Sequence, residues 1–291
     1  MAKDVPIMRK RKKIAVVGAG IGGLVSALKL AHEGFEVKVF ERSEYPGGKI
    51  RTLEANSGPI NIGPTVLTML PIFQNLFREV GEDIFDHLEL KEQNILARHW
   101  WSDGTEFDLF TDKNITFDEI RNVFGSNAAN QYMEFFHTTE KMFTCFEKPV
   151  MKTVSPAPIE ILKEICKTPT VIPALFPFRT LDKYLKSKFS EPKLQQLFGR
   201  YATYVGGSPL NSPALMALVW QAEAKGVWTV KGGISSVAKA IERLAEDRGV
   251  EFIYGHQVIE IQQSKHLVNK VYLDDGTNYE ADAIIFNGDP R

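Results

Sequence analysis

The sequence predicts an α/β protein in which a parallel sheet is interrupted by a mostly helical section. Three observations predict it: a strand, glycine turn, helix and strand between Lys13 and Glu41; a proline-punctuated, aromatic-rich middle; and a return to strand-like alternation after Gly249. Ile14 to Val17 is a short, wholly apolar run, as expected of a parallel strand buried on both faces. Gly18, Gly20 and Gly23 follow in G-x-G-x-x-G spacing, with Gly22 among them. That spacing serves a tight turn, close approach of backbone to a diphosphate, and close packing of the next helix on the sheet. Ile21, Leu24, Val25, Leu28 and Ala31 form one helical face, and Gly34 stops the helix. Unpaired amides and the positive dipole end at its start make an anion site without a charged side chain. Phe35, Val37 and Val39 alternate with Glu36 and Lys38 in a second strand ending at Glu41, whose carboxylate can accept ribose hydroxyls. The rival reading is a signal peptide or membrane span after the basic cluster Arg9 to Lys13. Four glycines within six residues and Lys29 inside the apolar run argue against it.

The chain has 291 residues, 44% of them hydrophobic, enough to bury a sizeable core in two domains or one large one. A net charge of −1 gives no support to a nucleic-acid partner. The basic cluster reads as a solvated tail before the first strand. Two cysteines, Cys145 and Cys166, are too few for a disulfide scaffold or a zinc site and fit a reducing, cytoplasmic compartment. No metal-ligating cluster or nucleophile triad is discernible.

After Glu41 the sequence RSEYPGGKIRT brings Arg42, Gly48, Lys49 and Arg51 close to the nucleotide motif. Its G-G-K element resembles the G-G-[RK] of two-domain flavoproteins that include amine oxidases, protoporphyrinogen oxidases and carotenoid desaturases. That resemblance implies FAD, with Gly48, Lys49 and Arg42 beside the cofactor. GPINIGPTVLTM, from Gly58 to Met69, is similar to the segment that in bacterial phytoene-type carotenoid desaturases passes the flavin ring, and it implicates Gly63, Pro64 and Thr65. Family members carry Asp where this chain has Asn61, which keeps a hydrogen bond but no charge.

Pro71 opens a helix that Gly81 closes, and Ile95 to Trp101 and Glu106 to Phe110 flank Ser102-Asp103-Gly104-Thr105 as a hairpin. RHWWSDGTEFDLF resembles the hairpin of the 1-hydroxycarotenoid 3,4-desaturase (methoxyneurosporene dehydrogenase) branch. It marks His99, for which a structural role outweighs a catalytic one. Thr116 and Glu119 have capping-box spacing. Tyr132, Phe135, Phe136, Thr139, Met142, Phe143 and Phe146 then recur at helical spacing, either as core or as the wall of a slot for a long polyene. Prolines interrupt the apolar stretch Pro149 to Phe178, so no segment there spans a bilayer. It reads either as a flap that touches a membrane surface or as an irregular buried loop.

Helices resume over Thr180 to Phe189, Pro192 to Tyr204, and from Ser212 to Ala224. GRYATYVGGSP resembles a desaturase segment whose tyrosines face the substrate cavity. GVWTVKGG matches a family strand and glycine turn leading into the helix Ile234 to Ala245. Val250 to Tyr254 returns to the sheet, and Val268 to Leu273 with Tyr279 to Phe286 completes a β-meander. Val258 and Ile261 fit the V-x-x-I pattern that the superfamily places on the adenine, and ADAIIFNGDPR resembles the family's return strand.

The resemblance implies a Rossmann-like FAD-binding domain with a β-meander, formed by residues 1–90 and 226–291. A mostly helical, membrane-facing substrate domain, residues 91–225, is inserted between them. It implies desaturation of a lipid-soluble carotenoid by hydride transfer to the flavin, 1-hydroxycarotenoid 3,4-desaturation in particular, with phytoene desaturation the alternative. Positive charge spreading along the polyene stabilises itself, so no catalytic residue is assigned. The chain resembles only the N-terminal part of a typical member. A C-terminal flavin segment is therefore expected from a separate chain, or the chain is an inactive nucleotide-binding fragment. Peripheral contact with the inner face of a membrane is the accompanying expectation for location.

Overall fold

The computed structural model describes residues 11–56, 58–151, 153–172, 179–264 and 267–288. Part of the basic cluster (Arg9 and Lys10), most of the apolar run Val171 to Phe178, and the last three residues of ADAIIFNGDPR lie outside them. The chain divides into two compact units, one of residues 1–91 with 228–291 and one of residues 92–227.

The first unit opens with β1 (Lys13–Val17), α1 (Ile21–His32) and β2 (Glu36–Phe40). Two very short strands, β3 (Thr52–Leu53) and β4 (Ile60–Asn61), pair antiparallel, and α2 (Leu70–Glu79) carries a proline in its first turn. That proline costs nothing there, because the first amides of a helix have no internal partner.

In the second unit β5 (Ile95–Trp100) and β6 (Glu106–Phe110) form the expected hairpin, with Arg98 opposite Asp108 and bonded to both its oxygens at 2.7 and 2.6 Å. The next helix, α3 (Lys113–Phe124), is capped by Asp112, which accepts from the amides of Asn114 and Ile115. Thr116 is therefore not the cap. It is buried one turn inside the helix and its hydroxyl exchanges bonds with the backbone of Phe110. In α4 (Ser126–Phe146) the aromatic stripe is core. Phe135 lies 4.7 Å from Phe198 and 5.0 Å from Phe189 between ring centroids, and Trp220 donates to the hydroxyl of Thr139 at 2.8 Å. Around Tyr132, Phe135 and Phe136, neighbouring rings of the protein pack against the stripe. An amphipathic helix, α5 (Pro158–Lys167), has no buried residue. After it come α6 (Leu181–Lys188) and α7 (Pro192–Gly199). Beyond Gly199 the expected continuous helix tightens into 3₁₀ turns over Arg200–Val205, and the stretch after Ser212 begins likewise at Ala214–Leu218.

The first unit resumes with α8 (Ser235–Glu246), β7 (Glu251–Ile253), β8 (Val258–Ser264), β9 (Leu267–Leu273), β10 (Asn278–Glu280) and β11 (Ala283–Phe286). Its parallel sheet has the order β7, β2, β1, β11. The stretch Tyr279 to Phe286 therefore does not stay in the meander. Only Asn278–Glu280 pairs with β9, whereas Ala283–Phe286 lies parallel to β1. Period-two alternation explains how the sheet is covered on both sides. Ile14, Val16, Val37 and Val39 point toward α1 and α8, packing with Leu24, Leu28, Val237 and Ile241. Ala15, Val17 and Phe40 point the other way, onto Val271 and Leu273 of the meander. Leu24 and Leu28 are wholly buried, each contributing about 1.5–3 kcal/mol, and this pins the start of α1 against the sheet.

Candidate functional site

Because the four strands run parallel and in register, their carboxyl ends share one edge, where Val17 lies opposite both Phe40 and Phe286. Ligands of open α/β sheets collect outside that edge. The residues just beyond it are Gly18, Glu41, Tyr254 and Asn287.

Gly18 has φ +95°, which disfavours any side chain, and its amide donates to Phe40 O at 2.8 Å. Gly20 is the extended residue before α1, and no side chain caps that helix. Among the described residues, the amides of Gly22 and Gly23 have no hydrogen-bond acceptor. A Cβ on Gly23 would lie 2.0 Å from the carbonyl oxygen of Gly18, so only glycine lets the helix begin so close to the strand. The second glycine pair meets the first. Gly47 N donates to Ala19 O at 2.9 Å, and a Cβ on Gly48 would come within 3.0 Å of the Gly20 Cα. Gly63 is equally close to Lys49, where a Cβ would lie 2.1 Å from its carbonyl oxygen. Contact thus runs from the Gly18–Gly23 turn through Gly48 and Lys49 to Gly63. Pro64 and Thr65 are exposed just beyond it, and Arg42, Lys49 and Arg51 are exposed cations.

Glu41, 8% exposed, holds the turn directly. Its Oε2 accepts from Ala19 N at 2.7 Å and its Oε1 from Ser43 N at 2.9 Å. A carboxylate has about four lone-pair sites, so a ribose hydroxyl would join a group already fixing the backbone. Val258 is half-buried, its side chain packed with the core that contains Phe40 and Leu273. Asn61 abuts Gly233, where a Cβ would lie 3.0 Å from its Oδ1. This is a neutral contact between the G-P-T segment and the glycine turn before α8.

Asn287 was not singled out from the sequence, yet its side chain meets the Cβ positions of Gly18, Gly20, Gly22 and Gly23. One signal was available: it directly follows an apolar parallel strand, as Gly18 and Glu41 do.

The second unit holds a buried polar cluster. Glu223 accepts from Arg200 Nη2 and Tyr201 Oη, both at 2.7 Å, and from the Tyr204 hydroxyl. Burial pushes both tyrosine pKa values up. Tyr201 is 1% exposed, so its ring serves the core, whereas Tyr204 is exposed. His99 stacks on Trp101 with centroids 5.7 Å apart. Burial first, then the Arg200 cation, lowers its pKa. A cleft of about 430 Å³ opens between α6 and α7, lined by Leu185, Pro192, Gly199, Arg200, Thr203 and Pro209, with no contribution from the aromatic stripe.

Residues 21–291 match the family described as flavin containing amine oxidoreductase. A hydroxyneurosporene desaturase of Cereibacter sphaeroides is 43% identical over 96% of this chain and 56% of its own length. The 1-hydroxycarotenoid 3,4-desaturase of a Flavobacterium species is 33% identical over 96% of this chain and 57% of its own. Among solved structures, an oxidoreductase from Methanosarcina mazei superposes with a TM-score of 0.66 at 18% identity, covering 94% of this chain and 58% of that one. Putrescine oxidase bound to putrescine gives 0.63 at 17% identity, covering 95% and 58%. This chain therefore spans little more than half the length of these relatives.

Proposed function

The chain belongs to the flavin containing amine oxidoreductase family, and from that premise we propose that it supplies the dinucleotide-binding part of an FAD-dependent carotenoid desaturase acting on a 1-hydroxylated polyene. The observation that carries the substrate class is the 43% identity to a hydroxyneurosporene desaturase across almost the whole chain. Putrescine oxidase shares the fold, but at 17% identity it supports no amine chemistry here.

The chain's own residues fit the cofactor at its diphosphate. The bare Cα surface of Gly20 and the amides of Gly22 and Gly23, without acceptors among the described residues, suit two phosphates at the positive end of α1. Lys49 and Arg42 are exposed cations close to the same turn. Glu41 keeps the turn in shape through Ala19 and Ser43, and Gly63 to Thr65 extend from it along the Gly48–Lys49 backbone. Val258 marks the adenine end. When bound, FAD supplies the hydride acceptor that removal of hydrogen from carbon requires.

Two further features belong to this reading. On α5, Ile159 and Leu162 are 58% and 54% exposed, while Lys163 and Lys167 pair with Glu160 and Glu164, and this exposed apolar surface suits peripheral contact with a membrane that holds lipid-soluble substrate. No described helix is long and apolar enough to cross a membrane. The chain aligns with 56% of its Cereibacter relative, so a test of turnover includes the section that the alignment does not cover.

The test is reconstitution. The chain, joined with the remaining section of a relative and loaded with FAD, should desaturate 1-hydroxyneurosporene. Turnover of phytoene alone would overturn the substrate assignment, and no flavin uptake would overturn the cofactor.

A further inference from the structure

Asn287 sits at the end of β11, 269 positions from Gly18 in sequence. Its backbone is fixed by donation of its own amide to Val17 O at 2.8 Å, and its carbonyl oxygen lies 3.2 Å from where a Cβ of Gly18 would be. Its side-chain Nδ2 is 3.1 Å from the Cβ positions of both Gly20 and Gly23, and its Oδ1 is 2.7 Å from that of Gly22. The carboxamide thus occupies the side of the turn that the missing Cβ atoms leave open. It therefore lies beside, and not in place of, a phosphate that approaches the amides at the start of α1. Nδ2 carries two hydrogens. One is directed at Gly18 O over a long 3.4 Å, which leaves the other without a partner among the described residues.

We infer that Asn287 is a diphosphate-binding residue. It is a neutral donor, delivered by the last strand of the sheet, that adds a side-chain N–H to the backbone amides at the start of α1. This rests on the dinucleotide reading of the glycine turn. It explains why a polar amide follows the apolar strand, and why the bare positions of Gly20, Gly22 and Gly23 face one side chain.

ADP binding to the full chain, followed by titration calorimetry, tests it with adenosine as the ligand that lacks phosphates. A hydrogen bond to a charged group contributes enough for Asn287→Ala to weaken ADP about 10-fold. Asn287→Asp, of the same shape but repelling phosphate, should weaken it more, about 30-fold or beyond. Asn287→Ser, with a donor on a shorter arm, should fall between Ala and the parent chain. Adenosine affinity should change less than threefold in all three variants. Equal losses for ADP and adenosine would mean that Asn287 only shapes the turn, and ADP affinity in Asn287→Ala equal to the parent's would likewise overturn the inference. If the unaltered chain binds no ADP, the dinucleotide reading itself falls and takes this inference with it.

Discussion

Substituting two glycines of one turn separates what the fold needs from what the ligand needs. In Gly23→Ala the new Cβ starts 2.0 Å from the Gly18 carbonyl oxygen, and real contacts of this kind do not fall below 3.0 Å. The start of α1 must therefore move off β1 by at least about 1 Å. The helix cannot yield freely, because Leu24, Ala27 and Leu28 just beyond are fully buried. Overpacking of this kind costs about 1–3 kcal/mol, which at about 2–4 °C per kcal/mol lowers the thermal midpoint by roughly 2–12 °C. In Gly20→Ala the Cβ meets Asn287 Nδ2 at 3.1 Å and the Gly48 Cα at an ordinary 3.9 Å. Gly20 has φ −68° and ψ 169°, a conformation open to alanine, so the midpoint should stay within about 2 °C. Its methyl group nevertheless crowds the Asn287 carboxamide and narrows the approach of a diphosphate to the turn, and ADP affinity should drop at least about 10-fold. Differential scanning fluorimetry reads the first effect and titration calorimetry the second. A Gly23→Ala chain with an unchanged midpoint, or a Gly20→Ala chain that binds ADP like the parent, would refute the reasoning.

Glu223→Gln removes the charge that faces Arg200 and both tyrosines. A broken buried pair costs about 3–5 kcal/mol, and with the Arg200 side chain 34% exposed we expect about 2 kcal/mol of lost stability in urea unfolding. His99 has its pKa depressed below the ordinary 6.5 by burial and then by Arg200. Below about pH 6.5 the unfolded chain therefore takes up a proton that the folded chain refuses, and stability falls as pH drops. His99→Phe should flatten the change in urea midpoint between pH 7.5 and 5.5; an unchanged slope would remove His99 as its source. Leu162→Glu, on the exposed face of α5, should reduce sedimentation with anionic lipid vesicles severalfold while leaving ADP binding intact. Vesicle binding equal to the parent's would dismiss this helix as the contact.

The geometry of the glycine turn was legible because its requirements are local. A strand, three spaced glycines and an amphipathic helix leave a pattern within thirty-odd residues, and the backbone contacts of Gly23 and Gly63 show why alanine could not replace them. Asn287 was not legible as a partner of Gly20, since their proximity arises only when β11 pairs with β1. The alternation from Tyr279 to Phe286 read as one meander strand, because a change of sheet at Ala281 leaves no mark on a period of two. Thr116 had the spacing of a capping box, but Asp112 four residues earlier won the helix start with a carboxylate that reaches two amides. The aromatic stripe of α4 showed which face was apolar and not what would cover it. Phe189, Phe198 and Trp220 do so, from stretches more than forty residues away.

The most direct measurement is amide hydrogen exchange across the full chain with and without ADP. Slower exchange confined to residues 18–23 and 47–49, with the 92–227 unit unchanged, is the expected result. Protection elsewhere, or none at saturating ADP, would contradict the assignment of the glycine turn as the seat of the dinucleotide.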